Sequence, residues 1–89
     1  MDNTDRIERI RSLLNKALTP NSLEIIDDSH KHAGHEGAKS GGGHFNVAVC
    51  SAEFEGKTLI QRHRMIYDAL GDMMQQDIHA LSIVATTPD

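Results

Sequence analysis

The spacing of apolar residues predicts two helices. The first has its apolar face at Ile7, Ile10, Leu14 and Ala17. Thr4 or Asp5 can cap its N-terminus, and Pro20 ends it shortly after Leu18. The second lies in residues 54–70, and its apolar face would consist of Leu59, His63, Ile66, Leu70 and Met73. Each helix is therefore expected to pack one face against the rest of the chain.

Three other segments have the pattern of strands. Residues 23–27 form a short, branched apolar run between turn-forming residues. Residues 44–51 alternate, with Phe45, Val47 and Val49 on one side, and residues 79–86 alternate in the same way. The order helix, strand, strand, helix, strand predicts an α+β fold.

The connections predict how the strands pair. A loop joins the first two strands, which should be antiparallel, whereas a helix joins the second to the third, which should be parallel if they share a sheet. The expected architecture is a three-stranded mixed sheet with the helices on one face. A short extra helical turn before the last strand is compatible with the spacing. Residues 1–89 are expected to form a single domain.

Residues 29–43, between the first two strands, differ in composition from the rest of the chain. They contain His30, His32 and His35 together with five glycines, and no large apolar side chain. Loops of this length are usually functional or disordered, and we expect this one to be mobile. Neutral imidazole is a ligand for zinc, iron, copper or nickel. The alternative is that these histidines are merely solvated polar residues.

Length and composition limit the chemistry available to the chain. A chain of 89 residues buries only about 60% of its unfolded surface, so a deep substrate cavity is not expected. Cys50 is the single cysteine, which excludes an internal disulfide framework and a self-contained four-cysteine metal site. Histidines or a partner must supply the ligands of any metal. No nucleophilic triad or paired carboxylates are recognisable, and no enzymatic activity is expected.

Charge and hydropathy bear on partners and location. The formal charge of -4 disfavours general attraction to phosphate backbones, and the scarcity of aromatic residues disfavours base stacking. Lys57, Arg62 and Arg64 nevertheless provide a modest basic surface on the second helix, which as a rule is a solvated helix face. Neither a targeting signal nor a membrane-spanning run is recognisable, so the expected location is the cytoplasm.

Two histidines outside the loop have competing interpretations. His79 shares its alternation with Leu81 and Ile83, which suggests a core position, although a metal ligand remains an alternative. His63 falls on the apolar face of the second helix, and a core position with a hydrogen bond to a backbone carbonyl is the preferred interpretation.

Several blocks of residues, in this order, resemble the BolA family. They are Asp-Ser-His-Lys-His at 28–32, His-Phe-Asn-Val at 44–47, Phe-Glu-Gly-Lys at 54–57, Arg-His-Arg-Met-Ile-Tyr at 62–67, Ile-His-Ala-Leu-Ser-Ile at 78–83 and Thr-Pro at 87–88. The resemblance covers nearly the whole chain from the first helix onward. It implies a fold like a class II K-homology domain without the Gly-x-x-Gly loop.

The resemblance also implies a function. Such proteins pair with a monothiol glutaredoxin and share a [2Fe-2S] cluster with it, with glutathione supplied on the partner side. On this chain the implied ligands are His79 and His32, with His35 and His30 as alternatives. The chain alone would be a monomer or a weak homodimer. Cys50 lies within the second strand and is treated as a packed residue.

The same resemblance implies an alternative, a transcriptional regulator of stress response and cell morphology. It would contact DNA phosphates through Lys57, Arg62 and Arg64. So few phosphate contacts would give weak binding that falls steeply with salt. A third possibility is a scaffold that docks a protein without contacting metal.

Overall fold

The order of helices and strands matches the one expected from the hydrophobic pattern. A computed structural model describes residues 3–28 and 43–88. Within them the elements are α1 (Asn3–Leu18), β1 (Ser22–Asp27), β2 (Gly43–Cys50), a 3-10 turn (Ala52–Phe54), α2 (Leu59–Leu70), α3 (Met73–Gln76) and β3 (Ile78–Thr86). The predicted α+β class is confirmed, and α3 is the short extra turn before the last strand. The predicted mobility of the loop at 29–43 concerns residues that lie, except Gly43, outside the described part.

The three strands form one mixed sheet with β2 in the centre. β1 pairs with β2 in antiparallel orientation, and β2 pairs with β3 in parallel orientation, as predicted. Burial along β2 alternates at every position, with Phe45, Val47 and Val49 buried. Such regular alternation is typical of a strand with one face on a core and the other half-covered.

The core lies between the helices and one face of the sheet. Its buried apolar residues are Ile10, Leu14, Leu18, Phe45, Val47, Val49, Phe54, Ile66, Leu70, Met73, Ile78 and Ala85. On the opposite face of the sheet, Ile26 of β1 and Val84 of β3 are exposed. The helices therefore cover one face of the sheet, as predicted. The likeness to a K-homology domain is compatible with this arrangement and stays a prediction.

Two details of the helical faces differ from the prediction. In α1 the buried stripe is Ile10, Leu14 and Leu18, whereas Ala17 is exposed. Leu18 lies four residues after Leu14 and therefore on the same stripe of the helix, whereas Ala17 lies beside this stripe. The prediction for Ala17 was therefore wrong, although the helix ends at Leu18 as expected.

The second helix begins later than residue 54. Thr58 is its N-cap, and its side chain accepts a hydrogen bond from the backbone N–H of Gln61 while the Gln61 side chain accepts one from Thr58 N–H. Phe54 is fully buried in the preceding 3-10 turn, and Leu59 is 62% exposed. The inclusion of Leu59 in the apolar face was therefore wrong, because Phe54 fills the core position at this end of the helix.

No helix in the described ranges, 3–28 and 43–88, is both long and apolar enough to cross a membrane.

Candidate functional site

His79 occupies an irregular position in the sheet. The register between β2 and β3 pairs Gly43 with Ile78 and His44 with Ala80, so His79 is an extra residue on β3. Simple alternation with Leu81 would direct its side chain towards the helices, yet His79 is exposed. An extra residue of this kind locally redirects a strand and its side chains. The core position considered for His79 is therefore wrong, and the imidazole is accessible from solvent.

A second histidine lies beside it. The ring centroids of His44 and His79 are 5.0 Å apart, with an angle of 42° between the ring planes. His44 is half-buried and belongs to the beginning of β2, next to the beginning of β3. Sequence reasoning treated it only as a strand residue. The signal was present nonetheless, because parallel strands begin at the same edge of a sheet, which brings their first residues together.

Asp77 anchors this end of β3 to the first helix. Its carboxylate is 11% exposed and accepts a hydrogen bond from Arg9 Nη1 at 3.0 Å, with Arg6 Nε at 3.6 Å from its other oxygen. Its backbone carbonyl accepts a hydrogen bond from Gly43 N–H at 3.0 Å. Asp77 thus ties the start of β2, the start of β3 and α1 together, two residues before His79.

A small polar concavity opens beside His44 on the sheet face away from the helices. Its volume is about 190 Å³, and its lining includes Asp28, His44, Asn46 and Ser82. The Asn46 amide donates a hydrogen bond to the Asp28 carboxylate, and the Asp28 N–H donates to the His44 carbonyl at 2.8 Å. The end of β1 is thereby held against the start of β2.

The predicted loop ligands His30, His32 and His35 lie outside the described residues. The described chain stops at Asp28 and resumes at Gly43, which pairs with Ile78 directly before His79. The loop thus leaves and rejoins the sheet at the end where His79 lies. Within residues 3–28 and 43–88, no three histidine, cysteine or acidic side chains are grouped closely enough to hold a metal ion.

Cys50 lies at the opposite end of the sheet. It is half-buried and pairs with Ser22 of β1 and Thr86 of β3. Cys50 lies six positions after His44 on β2, and a strand rises about 3.3 Å per residue, so the two are about 20 Å apart. The thiol therefore cannot act together with the His44 and His79 imidazoles on one ion or cluster.

The three basic residues considered for nucleic-acid binding differ in their surroundings. The half-buried Arg62 donates from Nε to the Lys57 carbonyl and from Nη1 to the Ala85 carbonyl, both at 3.1 Å. It thereby fastens the beginning of α2 to the preceding turn and to β3. Lys57 and Arg64 are exposed and line a shallow concavity of about 230 Å³ with Gln61, Met65 and Asp68. Only Lys57 and Arg64 of the three present their charge mainly to solvent.

His63 is half-buried on α2. Its Nε2 atom is enclosed and has no hydrogen-bond partner among the described residues. The expected hydrogen bond to a backbone carbonyl is thus absent at this nitrogen.

Comparisons with known proteins agree on one family. The family model described as BolA-like protein matches residues 14–89. SufE-like protein 1, chloroplastic/mitochondrial, of Arabidopsis thaliana is 48% identical over 85 residues, which are 90% of this chain and 23% of that protein. The DNA-binding transcriptional regulator BolA of Escherichia coli (strain K12) is 38% identical over 76 residues, which are 85% of this chain and 70% of that protein.

A solved structure supports the same relationship. The BolA domain of SufE1 from Arabidopsis thaliana has a TM-score of 0.82 and 51% identity, and the match covers 93% of this chain and 92% of that one. The chain spans from 23% to 56% of the length of the first curated relatives that it matches.

Proposed function

Because the chain belongs to the BolA family, we propose that it is an adaptor that binds a monothiol glutaredoxin and shares a [2Fe-2S] cluster with it. The observation that carries the proposal is the exposure of His79. As the extra residue of β3, it faces outward, beside the positions where the histidine-containing loop leaves and rejoins the sheet. In this role the chain is a binding partner and catalyses no reaction of its own. The complex would be a heterodimer that works in the cytoplasm, and the chain alone a monomer or weak homodimer.

The donor set of the chain suits a shared cluster better than one held by this chain alone. His79 offers an imidazole, and one histidine of the loop, His32 or its alternates His35 and His30, would offer the second. The single thiol, Cys50, lies about 20 Å away along β2. Thiolates must then come from the glutaredoxin and its glutathione. Imidazoles in place of two thiolates raise the reduction potential of such a cluster.

The experiment that tests this proposal is a titration of a cluster-loaded monothiol glutaredoxin with this chain. Addition of the chain should change the visible absorption and circular dichroism of the cluster, because the ligands of the iron change. The variant His79→Ala should not cause this change. As the matched control, Thr86→Ala removes an exposed side chain at the other end of β3 and should behave like the parent chain. An unchanged spectrum with the parent chain, or a normal one with His79→Ala, would rule the ligand role out.

The loop ligand can be identified by the same titration. His32→Gln, His35→Gln and His30→Gln, made one at a time, keep a polar side chain of similar reach but remove the imidazole. We expect His32→Gln to alter the spectrum most. A normal spectrum for all three variants would contradict a loop ligand and leave His79 as the only ligand from this chain.

One relative favours a second function, because its name is that of a DNA-binding transcriptional regulator. In this alternative the exposed Lys57 and Arg64 would contact phosphates, while Arg62 keeps its bonds to the Lys57 and Ala85 carbonyls. Two such contacts would give duplex binding that decreases steeply with salt. Lys57→Ala/Arg64→Ala should abolish binding measured by fluorescence anisotropy at low salt. If the parent chain shows no binding under these conditions, this alternative fails.

A further inference from the structure

We propose that His44 and His79 of a single chain bind one divalent transition-metal ion, such as Ni²⁺, Cu²⁺ or Zn²⁺, without a partner protein. This inference does not depend on the proposed function, because neither a glutaredoxin nor an iron–sulfur cluster takes part. It starts from the ring pair at the beginning of β2 and β3, whose centroids are 5.0 Å apart.

The separation of the rings matches that of two imidazoles on one ion. With a metal–nitrogen distance of about 2.0–2.1 Å and a ring centroid about 1.1 Å beyond the nitrogen, centroids lie about 5.1 Å apart at a tetrahedral angle and about 4.5 Å apart at a right angle. The observed 5.0 Å falls between these values. This separation is therefore compatible with both imidazoles binding one ion.

The backbone around the pair is held in place by several contacts. The Asp28 N–H donates a hydrogen bond to the His44 carbonyl, and the Gly43 N–H donates one to the Asp77 carbonyl. Asp77 in turn is fixed by Arg6 and Arg9 of α1. Ligands on such a fixed framework lose less conformational freedom on binding than ligands in a loop, which favours binding.

The type of ion follows from the donors. Imidazole suits zinc, copper and nickel, whereas magnesium and calcium prefer oxygen ligands. In the described part of the chain no third histidine, cysteine or carboxylate joins the pair. Water would fill the remaining positions, and the affinity should follow the usual order for divalent ions, with Cu²⁺ bound more tightly than Ni²⁺ or Zn²⁺.

The test is calorimetric titration of the tag-free chain with Ni²⁺ in a buffer that does not bind metals. The parent chain should bind one ion. His44→Gln and His79→Gln should each weaken binding at least tenfold, since either change leaves a single imidazole of the pair. His63→Gln, which removes the other histidine among the described residues, serves as the matched control and should bind like the parent chain. Far-ultraviolet circular dichroism establishes that each variant is folded.

A combined variant distinguishes this site from the histidine-containing loop. His30→Gln/His32→Gln/His35→Gln should still bind one Ni²⁺ with an affinity within about threefold of the parent, because the pair is intact. Loss of binding in this variant would assign the metal to the loop and overturn the proposal. So would unchanged binding by folded His44→Gln, or failure of the parent chain to bind Ni²⁺, Cu²⁺ and Zn²⁺.

Discussion

His79 and Asp77 show how much of the site depends on single residues near the beginning of β3. One extra residue in the β2–β3 register turns His79 outward, although its neighbours Leu81 and Ile83 face the helices. Two residues earlier, the carboxylate of Asp77 is paired with two arginines of α1. Through these contacts Asp77 positions the backbone that carries His79.

At this scale we predict the effect of removing the Asp77 carboxylate. Asp77→Ala removes the hydrogen bond that the carboxylate accepts from Arg9 and its ion pair with Arg6, and a hydrogen bond to a charged group contributes about 1.5–3 kcal/mol. Urea denaturation should show a decrease of this size in the free energy of unfolding. The matched control is Glu8→Ala, which breaks the exposed ion pair with Arg11 and should change stability by less than about 1 kcal/mol. Equal effects of the two variants would contradict the anchoring role.

The elements that carry the site are shaped by what packs beneath them. α2 begins at Leu59, where Thr58 and Gln61 form a reciprocal cap, and the turn before it buries Phe54. Arg62 then joins α2 to the Lys57 and Ala85 carbonyls. The conspicuous Arg-His-Arg string is therefore largely structural, since one arginine and the histidine are half-buried and only Arg64 is exposed.

At the scale of the element, a pair of substitutions tests where the helix begins. Phe54→Ala empties a fully buried position and should lower the free energy of unfolding by about 3–5 kcal/mol. Leu59→Ala changes a side chain that is 62% exposed, and such surface changes stay within about 0.5 kcal/mol. Urea denaturation of both variants measures the contrast. A larger loss for Leu59→Ala would mean that Leu59 belongs to the core, as its spacing alone had suggested.

On the scale of the whole molecule, the sheet separates the imidazoles from the thiol. His44 and His79 lie where β2 and β3 begin, and Cys50 lies where β2 ends, about 20 Å away at 3.3 Å per residue. In the described part of the chain, the two imidazoles thus lie at one end of the sheet and the thiol at the other. The opposite end holds the cap of α2 and the bonds of Arg62 to neighbouring carbonyls.

This separation predicts that the thiol is dispensable for the proposed function. When the Cys50→Ala variant is mixed with a cluster-loaded glutaredoxin, the spectral change should equal that caused by the parent chain. The side chain at position 50 is too distant to reach the iron. The same preparation should retain the stoichiometry of the parent complex in size-exclusion chromatography. A loss of the spectral change in a folded Cys50→Ala variant would contradict the placement of the cluster at the His79 end.

The sequence by itself determined the elements, their order and most of the core. Local periodicity is enough for this, because Ile10 and Leu14 on α1 and Phe45, Val47 and Val49 on β2 recur at the spacing of their own element. It also identified Cys50 as the single thiol and His79 as a candidate ligand. The resemblance carried by ordered blocks of residues supplied the family.

Only the tertiary structure decided which side chains meet. The extra residue at His79 is a property of the pairing between two strands, so alternation along β3 alone placed this histidine on the wrong face. Two contacts join residues that are distant in sequence. One is the approach of His44 to His79, and the other is the pairing of Asp77 with Arg6 and Arg9. The spacing of residues within one element does not determine such contacts, because they depend on the register of the sheet and on where α1 packs against it.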